Sequence, residues 1–591
     1  METKEKLSAL RASMKQMGLS AYIVPGTDPH ASEYVADYWK ERNWLSGFTG
    51  SAGTVAVTTT KAGLWTDSRY FLQADAQLKG SGIDLMKEGL AETPTIADWI
   101  MGQLTTDEAV GVNPEMFSAR AYEALRRQLA DANLRLISTD LIRPLWNDRP
   151  QLPTQPLYVL EEQYAGQSVA DKLVAVRQEM AKHNADVYVL SSLDEIAWLF
   201  NIRGTDVDYN PLVIAYAMVE KHKVTLFIAP SKLTAFSMKY VVENKIGVAD
   251  YEHIVPALHA ISAHDTVMYD GSRLNQALFE AFPANCKKVD VSSVVMRLKS
   301  VKNPVELAGT RRAMLQDGKA LVRFFKWLEE TVGKEHLTEF DIMARLKEFR
   351  SEGEHFVGES FGTIAGYQGN GAIVHYSASE KGAAEIKKEG MLLLDSGGQY
   401  FDGTTDITRT ITLSEPTAEQ KRDYTLVLKG HIALACAKFP KGTCGVQLDI
   451  LARQFLWQQG LSYGHGTGHG VGHFLCVHEG PQNIRTDLNP TPLEVGMLIS
   501  DEPGLYRAGQ YGIRIENLVA VKECEVTEFG QFLDFETLTL FPYDQQLIDW
   551  SIMTEQEIDW VNNYHKMVEE KLLPLLSEEE AAWLKRKCMK H

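Results

Sequence analysis

Cysteine is scarce in this chain: six residues in 591, none spaced as Cys-x-x-Cys. That argues against a disulfide-stapled scaffold and against a thiolate zinc site. No apolar run reaches the roughly 18 residues that a membrane-spanning helix needs before a charge interrupts it. The opening METKEKLSALRASMKQMG lacks the apolar stretch of a secretory signal. Basic residues are outnumbered, 60 Lys and Arg against 78 Asp and Glu, giving a net charge of -18. Such a surface disfavours nucleic acid and anionic membrane, so neither is expected as a partner. Low-complexity tracts are absent as well. What is present is 45% hydrophobic residues, enough to fill several cores at about 150 residues each. A soluble, cytoplasmic, multidomain protein is expected.

Proline concentrates in one place. RPLWNDRPQLPTQP, residues 143–156, carries four of them and reads as a linker, since proline cannot continue a helix and biases its predecessor to extended backbone. Before it, a helical pattern (LSALRASMKQMG) leads into an apolar strand (AYIVP), and TVAVTTT and AGLWTDSRYF both read as strands. After it, VAVRQEMAKHNADVYVLSSLDEIAWLFNIRG repeats the same order of helix, strand and helix, followed by a Trp-Leu pair before an apolar turn. Ser192 and Glu195 have capping-box spacing for the helix of this second copy. Two related α/β domains, 1–150 and 151–298, are expected from an internal duplication. A third region, 299–591, opens on the long amphipathic pattern VELAGTRRAMLQDGKALVRFFKWLEETVG. It continues through strands that contain charges and ends in helices, with capping-box spacing at Thr554/Glu557 and Ser577/Glu580.

Those charged strands carry the chemistry. MLLLDSGGQYFDGTTDITRTITL, residues 391–413, reads as a hairpin turning near 400–402, with Asp395 and Asp406 nearly opposite each other. Carboxylates about 5 Å apart repel unless a proton or a metal lies between them. MLISDEPGLY and YGIRIENLVAV place Glu502 and Glu516 in or beside apolar strands, where a carboxylate must be paired, coordinated or protonated. Arg514, two residues before Glu516 on the same strand face, offers a plain ion pair as the alternative.

The run LSYGHGTGHGVGHFLCVHE holds His465, His469, His473 and His478 among glycines. A helix would stack the first three, but glycines 466, 468, 470 and 472 cost about 0.8–1.0 kcal/mol each in a helix. In extended chain, four residues span about 13 Å, whereas metal–nitrogen bonds are about 2.0–2.1 Å. At most one histidine of this run is then a direct ligand. The others line a pocket, and the glycines let backbone and substrate approach. Four carboxylates and one imidazole form a hard, oxygen-rich set suited to manganese or a similar divalent ion. Two ions about 3.5–4 Å apart neutralise that much negative charge better than one.

GNGAIVHYSA, LLDSGGQYFDGTTDITRT, HGTGHGVGHFLCVHEGP, DEPGLY and GIRIENL occur together and in this order. On these motifs the whole chain resembles the three-domain Xaa-Pro aminopeptidases (aminopeptidase P) of the creatinase/prolidase/methionine aminopeptidase group. The resemblance implies two creatinase-like α/β domains and a pita-bread catalytic domain. It implies Asp395, Asp406, His469, Glu502 and Glu516 as ligands of two divalent ions, Mn2+ first, with Zn2+, Co2+ or Fe2+ possible alternatives, and with Asp406 and Glu516 bridging. It further implies catalytic or substrate roles for His375, His465, His478, Glu502 and Arg514. His473 matches no catalytic position and is expected to be structural or to support a ligand from behind. Arg69, in DSRYF, is expected to reach substrate from the first domain. A homodimer is implied too, with Trp457 as a contact candidate or else a core residue. The implied reaction removes an N-terminal residue that precedes proline. A prolidase restricted to dipeptides, or a non-enzymatic binding module on the same fold, are the alternatives.

Overall fold

The computed structural model describes residues 1–591. The chain forms two compact units, one of Met1–Glu161 with Gln167–Val295 and one of Glu162–Gly166 with Met296–His591.

The first unit contains two six-stranded sheets. In the first, β1 (Ala21–Pro25), β2 (Thr54–Thr58), β3 (Ala62–Thr66), β4 (Asp84–Lys87), β5 (Ala109–Val112) and β6 (Arg135–Ser138) lie in the order 4-3-2-1-5-6. In the second, β7 (Val187–Leu190), β8 (Ala215–Glu220), β9 (Val224–Ile228), β10 (Gly247–Ala249), β11 (Thr266–Tyr269) and β12 (Lys287–Asp290) lie in the order 10-9-8-7-11-12. Strand for strand the order is the same. So is the hand of each pairing: antiparallel for β1/β2, β2/β3, β7/β8 and β8/β9, parallel for the rest. This is the repeat that the two helix-strand units of the sequence suggest. The leading helices follow suit. Thr3–Gln16 buries Leu7, Leu10 and Met14, and Val169–Lys182 buries Val169, Leu173, Val176 and Met180, each at helical spacing.

Two local expectations fail. AGLWTDSRYF is not one strand, because β3 ends at Thr66 and a helix begins at Phe71. The side chain of Asp67 caps the turn between them by accepting from the backbone N–H of Arg69. Ser192 starts its helix but makes no capping bond, and Glu195 instead accepts from Ser293 Oγ at 2.6 Å, inside the core.

The first long helix of the second unit is Pro304–Thr331. Asn303 and Glu306 form a capping box at its start, and proline fills the position where an N–H would go unused. Strands Ile364–Tyr367, Met391–Ser396 and Ile407–Thr412 form an antiparallel sheet. A six-stranded sheet runs Phe439–Pro440, Gly530–Thr537, Asn517–Thr527, Leu498–Asp501, Gly468–Gly470, Glu479–Ile484. A short ribbon pairs Gly504–Arg507 with Tyr511–Arg514. Helices Ala418–Ala435 and Gly445–Trp457 touch at Gly430, where a Cβ would lie 2.1 Å from the Ala452 carbonyl. The C-terminal helices carry both capping boxes read from the sequence. No helix is long and apolar enough to cross a membrane.

Candidate metal centre

Strand Met391–Ser396 is buried at every position, yet it contains Asp395. The chain turns at Phe401 and Asp402, between the paired segments Gly398–Tyr400 and Gly403–Thr404. It returns with Thr408 opposite Asp395, so Asp406 stands just ahead of the facing strand. The two aspartates are near neighbours, as the hairpin reading requires.

His469 comes from strand Gly468–Gly470, whose neighbours explain the glycines. A Cβ on Gly468 would lie 1.9 Å from the Ser500 carbonyl, and one on Gly470 would lie 2.2 Å from that of Glu479. The glycines therefore admit the flanking strands, not substrate as expected. The His469 ring turns Nδ1 to the Gly470 carbonyl at 3.0 Å. Donation there turns Nε2 toward the cluster, where it would ligate a metal once deprotonated. Nε2 is 3.5 Å from Asp406 Oδ2 and 3.4 Å from Glu502 Oε1. One ligand atom each of Asp406, His469 and Glu516 can be chosen so that all lie within 4.8 Å of one another.

Arg514 corrects the ion-pair expectation. The ribbon strand stops at Arg514 and the next strand starts at Asn517, so Arg514 and Glu516 do not share a strand. Arg514 Nη2 donates to Asp395 Oδ2 at 2.5 Å, while Glu516 Oε2 accepts from Thr408 Oγ1 at 2.7 Å. Arg514 Nη1 donates to the Tyr506 hydroxyl at 2.8 Å, and that hydroxyl meets His465 Nε2 at 2.7 Å. With His465 Nδ1 on the Gly466 carbonyl, the tyrosine is the donor to Nε2. A bonded chain thus runs from Asp395 to His465. Nothing in the sequence singles out Tyr506, although it ends the DEPGLY motif. Thr408 and Ser500, which binds both His469 N–H and Glu502, gave no signal.

The remaining expected residues divide. The His478 ring meets His469 edge to face, 4.4 Å between centroids. His375 lies in a turn whose preceding carbonyl, on Val374, accepts from Arg514 Nη2 at 3.4 Å. His473 is buried and its Nε2 bonds the Tyr164 carbonyl at 3.1 Å, a structural position as expected. Arg69 belongs to the first unit, where Asp67 holds its guanidinium by two bonds of 2.8 Å. Trp457 is 47% exposed, which removes the core reading and leaves it a surface residue.

The cluster is short of positive charge. Burial raises Asp395, partly offset by Arg514 and increased by Asp406. Burial and the charges of Asp406, Asp395 and Glu502 push Glu516 far up. Burial lifts Glu502 to about 7, against the pull of His469 and Arg514. Burial alone would lower His469, but its bond to Asp406 and the charge of Glu502 raise it to about 9. Asp395 Oδ1 is buried without a hydrogen-bond partner. An orphaned carboxylate oxygen among carboxylates that resist ionisation fits a site for cations.

A pH dependence follows. A carboxyl raised to about 7 in the folded state holds a proton that the unfolded chain has released, so its stabilisation is lost as pH rises from about 4.5 to about 7. A histidine raised to about 9 stabilises fully below 6.5 and loses this as pH rises through 9. Both slopes have one sign. Chelator-stripped protein is expected to melt at falling temperature from about pH 5 to about pH 9, and saturating divalent cation is expected to flatten that decline. Calorimetry checks it, and a metal-free Tm that rises over this range contradicts it.

Residues 308–523 match the metallopeptidase family M24, and residues 531–591 match the C-terminal region of peptidase M24. Residues 6–144 and 148–306 each match a creatinase/prolidase N-terminal domain. The chain is 43% identical to the probable Xaa-Pro aminopeptidase P of Laccaria bicolor, over 99% of this chain and 93% of that one. It is 41% identical to aminopeptidase P2 of Arabidopsis thaliana, over 97% and 86%. The crystal structure of X-prolyl aminopeptidase from Caenorhabditis elegans, described as a cytosolic enzyme with a di-nuclear active site, superposes with a TM-score of 0.96 at 35% identity and full coverage of both chains. The prolidase of Pyrococcus horikoshii shares the fold at 24% identity and a TM-score of 0.51, covering 64% of this chain and all of that one.

Proposed function

Because the chain belongs to metallopeptidase family M24, and within it to the Xaa-Pro aminopeptidases, we propose that it hydrolyses the bond between an N-terminal residue and a following proline, releasing that residue. The observation that carries this reading is the buried carboxylate–imidazole cluster, with its orphaned Asp395 oxygen, in a chain alike over its whole length to Xaa-Pro aminopeptidases.

Asp395, Asp406, His469, Glu502 and Glu516 would hold two divalent ions, Mn2+ first among them. When bound, such ions supply positive charge that acidifies water and polarises a carbonyl. The chain's own residues do the rest. Arg514 and Thr408 fix one oxygen of Asp395 and one of Glu516, leaving the other oxygen of each carboxylate for the ions. Glu502 takes a proton from the attacking water and passes it to the proline nitrogen. That nitrogen carries no hydrogen in the peptide, so it leaves only after protonation. His375 donates to the scissile carbonyl oxygen as negative charge builds there. His478, edge to face with His469, faces the substrate. His465, oriented through Tyr506, lines the proline side. The domains run 1–150, 151–298 and 299–591, the active form is a homodimer, and the protein works in the cytoplasm.

Offering Xaa-Pro dipeptides and Xaa-Pro-Xaa tripeptides side by side tests the activity. Tripeptides are expected to turn over faster. Preference for dipeptides would favour a prolidase. Turnover of neither, with no bound metal, would favour a binding module.

A further inference from the structure

The loop 368–390 joins strands Ile364–Tyr367 and Met391–Ser396 and carries His375. One side chain gathers this loop from behind. Glu339, the first residue of helix Glu339–Ser351, has no exposed surface. Its Oε1 accepts from the Tyr367 N–H at 2.8 Å and from Asn370 Nδ2 at 3.0 Å. Its Oε2 accepts from the Tyr376 hydroxyl at 2.7 Å and from the Ala384 N–H at 2.8 Å. Asn370 Nδ2 also donates to the Tyr376 hydroxyl at 3.0 Å. None of these partners is a cation, so this is no ion pair. A carboxylate at a helix N-terminus is favoured by the helix dipole, and here it is spent on the end of one strand and three points along the loop that follows.

His375 sits at the third position of a turn closed by the Tyr376 N–H on the Ile373 carbonyl at 3.0 Å. The turn is held on both sides. Arg514 holds the Val374 carbonyl on the side of the carboxylate cluster, and Glu339 holds the Tyr376 hydroxyl behind. Ahead of the turn, Gly371 lies against Gly512, where a Cβ on the latter would meet the Gly371 carbonyl at 1.7 Å. The residues on either side of His375 are thus held, Val374 by Arg514 and Tyr376 by Glu339, and Glu339 also holds the loop at Asn370 and Ala384.

We propose that Glu339 is a positioning residue for catalysis, setting the His375 imidazole through Tyr376 and Asn370. This rests on the role given to His375 above. Tripeptide kinetics on Glu339→Gln, Tyr376→Phe, His375→Ala and the double variant His375→Ala/Glu339→Gln test it, with metal content measured on each. Glu339→Gln is expected to lower kcat by about a hundredfold, the cost of misplacing a reacting group by about 1 Å, with metal content unchanged. Tyr376→Phe lowers kcat less, in the same direction, and serves where Glu339→Gln fails to fold. In the His375→Ala background, adding Glu339→Gln is expected to cost no more than about twofold, because coupled residues are not additive. Wild-type kcat in Glu339→Gln overturns the proposal, as does an equal loss in both backgrounds, which marks a merely structural role. Wild-type turnover in His375→Ala overturns the role of His375 and the proposal with it. A normal His375 effect without coupling overturns the proposal alone.

Discussion

Asp406→Asn is expected to remove activity and bound metal together. Asp406 Oδ2 lies 3.5 Å from His469 Nε2, and an oxygen of Asp406 falls in the one cluster where three ligand atoms sit within 4.8 Å of one another. The amide keeps the size of the carboxylate and loses its charge, so folding should survive. Charge stabilisation by bound ions is worth several kcal/mol, and a loss of about 4 kcal/mol is roughly a thousandfold in rate. Two readouts on one sample check this: metal per chain by elemental analysis, and kcat on an Xaa-Pro-Xaa tripeptide. Metal-depleted protein with full activity would contradict the role of the cluster. Normal metal with lost activity would make Asp406 a catalytic group and not a ligand.

Arg514→Met is expected to have the second largest effect, and to show it in stability. Arg514 is buried and bonds Asp395 Oδ2 at 2.5 Å, beside an Asp395 Oδ1 that has no partner. Methionine keeps an unbranched apolar stem, shorter than arginine's, and carries no charge. Breaking a buried pair by removing one member costs about 3–5 kcal/mol, because a charge is left uncompensated. In metal-free protein, the four carboxylates then keep only His469 to offset them. In loaded protein, bound ions supply positive charge, so the cost is smaller. Melting of the stripped variant is therefore expected to fall much further below wild type than melting of the loaded one. Equal losses in both states would contradict this. Turnover should drop as well, since Tyr506 and through it His465 are oriented by the same guanidinium.

Much of the site was legible because burial and charge conflict there. An aspartate ending an apolar run, as Asp395 does, needs a reason, and so does Glu516 between Ile515 and Asn517. The limit of one histidine ligand followed from chain geometry alone, since extended neighbours stand too far apart. What stayed hidden depends on turns and contacts between distant segments. A break between Arg514 and Asn517 sends the arginine to Asp395, and periodicity cannot register such a break. In sequence, Gly468 and Gly470 suggest space for substrate; in the structure they are space for carbonyls of strands that follow them in the chain. The helix-strand repeat predicted two like domains. Only the pairing shows that all six strands follow one order in both sheets. Glu339 gave no signal at all, because its partners lie 28 to 45 residues away.

Metal analysis of protein purified without added metal, run beside turnover of an Xaa-Pro-Xaa tripeptide, tests the central claim most directly. About two divalent ions per chain, with release of the N-terminal residue, is the expected result. A protein that carries no divalent ion and leaves the tripeptide intact even when supplied with manganese would contradict it.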